Sequence, residues 1–281
     1  MNHTKEKIMQ AVFFLTACIS ILSVLLICIF LFMNGFPAIQ QIGLGNFLTG
    51  TTWRPANNLF GILPMIVGSL YVTAGALVLG VPIGILTAVF MARFCPQKIY
   101  RPLKAAINLM AGIPSVVYGF FGLVVLVPFV RENIGGFGMG VLTASILLGL
   151  MILPTIISVS EAAIRAVPNS YYEGGLALGA SHERSIFFAV LPAAKRGILA
   201  AVILGVGRAI GETMAVIMVA GNQAILPDSL TSGVRTLTTN IVMEMGYSTG
   251  LHREALIGTA VVLFIFILMI NISFSLLNKE D

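Results

Sequence analysis

The chain has 281 residues, of which 58% are hydrophobic and only 10% charged, and its mean hydropathy is +1.00. A single soluble core of that length cannot hide so much apolar surface, so a soluble globular protein is excluded and most of the surface must face lipid or other membrane helices. The net charge of +5 would suit nucleic acid only if the basic residues formed a patch, and they do not.

A hydrocarbon layer of about 30 Å takes about 20 apolar residues per helix. Six runs satisfy this, at 10–33, 70–92, 106–129, 140–158, 197–220 and 255–277. With the N-terminus in the cytoplasm, eleven Lys and Arg, Lys104, Arg165 and Lys279 among them, fall on that side. Arg54, Arg131, Arg235 and Arg253 fall on the other, and Arg208 lies inside a span. The positive-inside rule therefore predicts both termini in the cytoplasm, with no role in binding nucleic acid.

The first run is about 24 residues long with no small-residue cleavage site after it, which predicts a retained helix. Cys18, Cys28 and Cys95 share no metal-ligand spacing and read as neutral thiols, so neither metal nor cofactor is expected. Residues 34–58 read as an outer loop with Trp53 at the lipid interface. Residues 59–92 are too long for one perpendicular crossing, which predicts an interfacial piece over 59–69 and a spanning helix over 70–92, kinked at Pro82 between Gly80 and Gly84.

The third run carries Pro114, Ser115, Tyr118 and three glycines in AGIPSVVYGFFG. Small residues suit tight helix packing, and Ser115 and Tyr118 are also candidates to line a polar path. The fourth run ends near Pro154, and a connection of about 38 residues, 159–196, follows on the cytoplasmic side. Within it, Ser170 and Glu173 have the form of a capping box. A short helix over 171–178 should end at Gly179, and Ser181 should cap a second helix over 182–191 that stops before Pro192.

This helix, glycine bend, helix unit resembles the cytoplasmic motif of ABC-importer membrane subunits, written EAA, three residues, G, nine residues, I-x-L-P. Glu173, Gly179, Leu191 and Pro192 stand at that spacing, whereas Gly174 and Gly175 replace the alanines and Ala189 the isoleucine. Two glycines lower helix propensity by roughly 1 kcal/mol each, which predicts a pliable first helix. The resemblance implies that Tyr172 to Ser181, with Ala180 at the bend, is a coupling helix docked on an ATP-hydrolysing subunit. The ATPase must be another polypeptide, because none of the six lysines follows a glycine and no phosphate loop exists.

Further stretches narrow the resemblance: GSLYVT at 68–73, AGIPSVVYGFFGLVVLVP at 111–128, ILPTI at 152–156, AVPNSYYEGGLALGAS at 166–181, GVGRAIGETMAVIMVAGN at 205–222, VRTLT at 234–238 and MEMG at 243–246. Together they resemble the C-type permease subunit of bacterial phosphate-specific (Pst) transporters. That family implies an all-α integral membrane protein with six transmembrane helices in the type I, MetI-like permease fold. It also implies a companion A-type permease, two ATP-binding subunits, an extracytoplasmic phosphate-binding protein and a place in the bacterial inner membrane. The division expected is 1–69, an N-terminal transmembrane helix with an outer loop, and 70–281, a permease core that contains the coupling loop.

Arg208 and Glu212 are four apart in the fifth run, which puts them on one helical face about 6 Å apart along the axis, as a resting ion pair. Charges at such depth normally face a bundle interior or a cavity. Guanidinium offers a rigid fork of donors that suits phosphate oxygens, and a nearby carboxylate keeps the anion from binding too tightly to leave. The resemblance implies the same role for the pair in phosphate passage, while a purely structural ion pair is the competing reading. The stretch VRTLTTNIVMEM in the last outer loop predicts a short amphipathic helix at the outer surface.

Three other function classes compete. A permease for sulfate or molybdate shares most of the chemistry. A gradient-driven transporter is disfavoured, because no histidine lies in a span and Glu212 is the sole acid expected there. An intramembrane serine–histidine enzyme needs groups that His3, His182 and His252, all outside the spans, do not supply.

Overall fold

The structure is a computed structural model that describes residues 3–277, with side chains from residue 5 to 273. Lys279 and the closing NKED lie outside the described residues. Among those described, six helices are long and apolar enough to cross a membrane: Lys5–Ile42, Leu63–Phe94, Ser115–Asn133, Val141–Ala166, His182–Gly211 and Gly250–Ser273. All six predicted runs are present, and their ends differ in ways that matter.

Helix α1, His3–Ile42, continues well past the predicted end at residue 33, straight through Pro37. Its far half packs antiparallel on the last helix, α13, Gly250–Leu277, where a methyl added to Gly35 would stand 2.8 Å from Val261 Cγ2 and Phe32 meets Phe264 edge to face. That partner is why residues 34–42 stay helical despite loop-like composition. The rest of the predicted outer loop holds a short helix, α2, Leu44–Thr49, and a two-residue hairpin in which β1, Trp53–Arg54, pairs antiparallel with β2, Leu59–Phe60.

The interfacial piece expected over 59–69 is not separate. Helix α3, Leu63–Val89, starts with Pro64 in its first turn, where a missing N–H costs nothing, and runs unbroken through Pro82. It packs parallel to α7, Val141–Ala166, and glycines set the closeness of that seam: methyls on Gly80 and Gly84 would stand 2.8 and 2.7 Å from Ile152 and Ile156. Leu147, Leu148, Met151, Ile152 and Ile156 of α7 are fully buried in the main core, which makes α7 the central post of the bundle.

The third predicted run is two helices. Amphipathic α4, Gln97–Gly112, ends at Ile113–Pro114, both extended, and the chain then spans as α5, Ser115–Phe121, a π turn over Gly122–Leu126, and α6, Val127–Asn133. Pro114 disfavours helix in the residue before it, which forces the break. Two further π turns occupy Phe90–Phe94 and Ile186–Val190, and each of the three is followed two residues later by a proline, Pro96, Pro128 or Pro192. A proline ring withdraws one N–H from the ladder and crowds the carbonyl four residues back, and the wider turn accommodates both.

Candidate functional site: the broken fifth span and its flanking clusters

The segment after α7 begins with α8, Asn169–Ala177. The predicted capping box does not form: Pro168 precedes the first helical residue, and no side chain caps the helix. Proline pre-sets the backbone for an earlier start, which moves Ser170 inside the first turn, where its hydroxyl cannot cap. Gly179 does take the left-handed conformation expected of it, with φ +84°, and Ser181 Oγ accepts from Arg184 N at 3.3 Å to cap α9, His182–Ser185. The second helix does not stop before Pro192. Through the π turn it joins α10, Leu191–Gly211, with Pro192 tolerated in the first turn.

The two glycines of EGG have different physical reasons. A methyl on Gly174 would meet nothing within 4 Å, whereas one on Gly175 would stand 2.6 Å from Ser185 Oγ. Gly175 is therefore the contact at which α8 lies down on α9, and close packing rather than pliability accounts for it. Tyr172 turns inward: its hydroxyl is 2.8 Å from His182 Nδ1, and the His182 ring meets Phe94 edge to face at 5.0 Å. Glu173, Gly174 and Gly179 are exposed, Ala180 is half-buried, and Leu178 at the tip is 91% exposed. Leu191 packs against the core cluster beneath.

Helix α10 ends at Gly211, so Arg208 and Glu212 do not share a helix. Glu212 is extended, at φ −70° and ψ 129°, and its Oε1 accepts from the N–H groups of Thr213 and Ala215, both at 3.2 Å, at the start of α11, Met214–Val219. The predicted ion pair is absent: Arg208 Nη1 donates to Thr155 Oγ1 on α7 at 3.1 Å, and among the described residues its Nε and Nη2 have no partner. The single helix expected over 197–220 is thus broken at the charged residues, a form that membrane helices adopt where backbone lines a cavity or packs in protein. Methyls on Gly207 and Gly211, on either side of Arg208, would meet nothing within 4 Å. From above, Thr238 of α12, Leu237–Met245, donates its hydroxyl to Glu212 O at 3.2 Å.

The other two predicted path residues are placed less alike. Ser115 is half-buried with no side-chain hydrogen bond among the described residues. Tyr118 is buried and donates to Met110 O at 3.0 Å, which ties α5 to α4 across the break, and it lies within electrostatic reach of Arg208.

Two carboxylate clusters were not foreseen. Because α7 continues to Ala166, Glu161 lies within a spanning helix, whereas Glu212, the one acid expected there, lies just past the end of the fifth. Glu161 is 2% exposed and receives Tyr100 at 2.7 Å, Lys104 at 2.7 Å and Arg165 at 2.9 Å, with Arg165 stacked over the Tyr100 ring. The hydrogen bond to that carboxylate raises Tyr100 above the ordinary phenol range. Arg165 and Arg93 also donate to Met91 O and Ile164 O, fastening the ends of α3 and α7 together. The Glu–Arg spacing of four was the available signal.

At the opposite end Glu244 of α12 is equally surrounded. Trp53 Nε1 and His252 Nε2 lie 2.8 Å from its Oε2, and Arg235 Nη1 lies 2.7 Å from its Oε1. Trp53 is therefore buried against protein and not at a lipid interface, since the hairpin carries it onto α12 and α13. α12 itself is an integral part of the fold: Leu237, Thr238, Thr239, Asn240 and Glu244 are all buried.

Residues 80–279 match the family described as "Binding-protein-dependent transport system inner membrane component". The "Probable ABC transporter permease protein YqgH" of Bacillus subtilis is 40% identical, over 91% of this chain and 87% of that one. The "Phosphate transport system permease protein PstC" of Haemophilus influenzae is 34% identical over 88% and 84%, and that of Mesorhizobium japonicum 32% over 87% and 81%. Among solved structures, an inward-facing MetNI methionine ABC transporter covers 81% of this chain and 98% of its own at TM-score 0.61 and 22% identity. A bacterial alginate ABC transporter covers 99% of both at TM-score 0.64 and 16% identity. These two show the fold alone.

Proposed function

The chain belongs to the binding-protein-dependent transport system inner membrane components and, within them, to the phosphate transport system permeases; from that premise we propose how its residues serve the transport of phosphate through an ABC importer. Arg208 is the residue that meets the anion. One observation carries this reading: the guanidinium in the last turn of α10, at the break in the fifth span, is held by a single neutral hydroxyl, with its remaining donors uncommitted and open space on both flanks. An unpaired cation at that depth is costly, and an oxyanion of matching geometry relieves the cost. Glu212 keeps a negative charge close by, which limits the dwell time of the anion, while its bonds to Thr213 and Ala215 hold the break in shape. Ser115 and Tyr118 line the approach.

The segment Tyr172–Ser181 is the coupling element, with Glu173, Gly174, Gly175, Gly179 and Ala180 at or near the docking surface and Leu191–Pro192 transmitting movement into α10. The exposure of Leu178 and the left-handed Gly179 support it. In this arrangement ATP is hydrolysed on two separate subunits at the cytoplasmic side, where both termini lie. A companion A-type permease completes the path, and an extracytoplasmic phosphate-binding protein delivers the solute. Residues 1–69 add a transmembrane helix and outer segment to a permease core over 70–281, with 159–196 as its coupling region.

The test is uptake of labelled phosphate by assembled transporters that carry Arg208→Gln or Glu212→Gln, with sulfate and molybdate as competitors. Glutamine keeps an acceptor for the Thr213 and Ala215 N–H groups, so Glu212→Gln removes charge and leaves the cap. Loss of one charge-assisted contact predicts uptake lower by about tenfold or more for Arg208→Gln. Normal uptake in both variants would overturn the path assignment.

A further inference from the structure

We propose that Thr155 is part of the anion-receiving face: its hydroxyl holds Arg208 in register and presents its own proton to the same oxyanion. The inference rests on the reading of Arg208 above and adds a residue on a different helix.

The observation is an uncommitted donor. Hydroxyls inside membrane helices normally bond back to a carbonyl three or four residues earlier, and several here do so: Thr16 to Phe13 O, Ser23 to Ile19 O, Thr259 to Ala255 O and Ser273 to Met269 O, all at 2.8–2.9 Å. Thr155 does not. Its oxygen accepts from Arg208 Nη1 at 3.1 Å, and among the described residues its O–H donates to nothing. A hydroxyl that accepts one hydrogen bond from a cation is polarised and becomes a better donor to the next acceptor.

Thr155 sits on α7, the most buried helix of the bundle, directly after Pro154. Its neighbours Pro154 and Ile156 are buried, which fixes the backbone that carries it, while Thr155 itself is half-buried. Arg208 reaches it from α10, whose Gly205 lies so close to Ile156 that an added methyl would stand 3.1 Å from that side chain. The guanidinium is therefore braced by a rigid post and not by the broken helix that bears it. Bracing Nη1 leaves its neighbour Nη2 free, and one oxyanion can accept from Nη2 and from the Thr155 hydroxyl side by side. That face offers two adjacent donors and one positive charge.

Three substitutions test this in the full transporter. Thr155→Val keeps the shape and removes the hydroxyl, and is expected to lower phosphate uptake about tenfold at equal amounts of assembled complex. Thr155→Ser should restore it to within about twofold, since the same bonds re-form. A transporter with Cys18, Cys28 and Cys95 replaced and T155C introduced is expected to react with a small charged thiol reagent, more slowly when phosphate is present. A hydroxyl with only a structural role would leave T155C unreactive or insensitive to phosphate, and that result overturns the proposal, as does normal uptake by Thr155→Val. Arg208→Gln run alongside separates the two levels: if it loses uptake while Thr155→Val does not, only the role of Thr155 fails, whereas normal uptake by Arg208→Gln removes the path reading beneath it.

Discussion

Glu161 lies within a spanning helix and Glu212 at the break just after one, and the surroundings of these two carboxylates are opposite. Glu161 receives three side chains, two of them cations, and fastens α4 to the end of α7, while Arg165 reaches on to Met91 O after α3. Glu212 receives only backbone N–H groups at a helix break, while the cation expected to pair with it turns to Thr155. Glu244 at the far end repeats the first pattern, with Trp53, Arg235 and His252 around it. The difference separates locks from sites: a charge whose bonding capacity is filled by the chain holds structure, and a charge with donors to spare is available to a solute.

The comparison breaks most readily at Glu161. Glu161→Ala would leave Lys104 and Arg165 without their shared anion and Tyr100 without its acceptor. Both cations keep part of their surface in solvent, with side chains 30% and 43% exposed, which lowers the penalty below that of a fully buried pair. A loss of about 2–3 kcal/mol is expected, read as a lower melting temperature of the detergent-purified protein. An unchanged melting temperature would mean that the cluster is not a lock.

Trp53 sharpens the contrast at the other end. It is the only tryptophan, so intrinsic emission reports its surroundings directly. Glu244→Gln should shift that emission and Glu161→Gln should not, whereas an interfacial tryptophan would respond to neither. Trp53→Phe removes one buried hydrogen bond to a charged acceptor, with an expected cost of about 1.5–2 kcal/mol in thermal stability.

The smallest effect concerns the paired glycines. Gly174→Ala should stabilise α8 by up to about 1 kcal/mol, visible as slower amide exchange there. Gly175→Ala should gain nothing or lose, because its methyl would press on Ser185. Equal gains would mean that α8 does not lie against α9. Replacing Gly179 by valine forces a β-branched residue into φ +84°, and is expected to uncouple ATP hydrolysis from uptake while the protein stays in the membrane.

Much of this was legible beforehand. Six spans follow from apolar run length alone, since a helix must satisfy its own backbone in lipid. Gly179 and Ser181 took their predicted roles because bend and cap are local chemistry, decided within four residues. Ser170 failed for an equally local reason, one proline earlier in the chain. Trp53 could not be placed from the sequence, because its partner Glu244 lies 191 residues away and only the hairpin and α12 bring them together. Composition likewise hid the continuation of α1 to Ile42, which depends on the antiparallel contact with α13.

By itself, then, the sequence determined that this is a membrane protein of six spans, that the segment before the fifth span bends at Gly179, and that a basic and an acidic residue stand four apart near the end of that span. Apolar run length, backbone conformation and charge are properties a stretch of chain carries with it. Tertiary structure alone decided which charges are satisfied. Helical spacing pairs Arg208 with Glu212, but the break at Gly211 turns the carboxylate toward the backbone of α11 and leaves the guanidinium to a hydroxyl on α7. A hydrogen bond joins whichever groups the packed helices bring within about 3 Å, and the sequence does not record that distance.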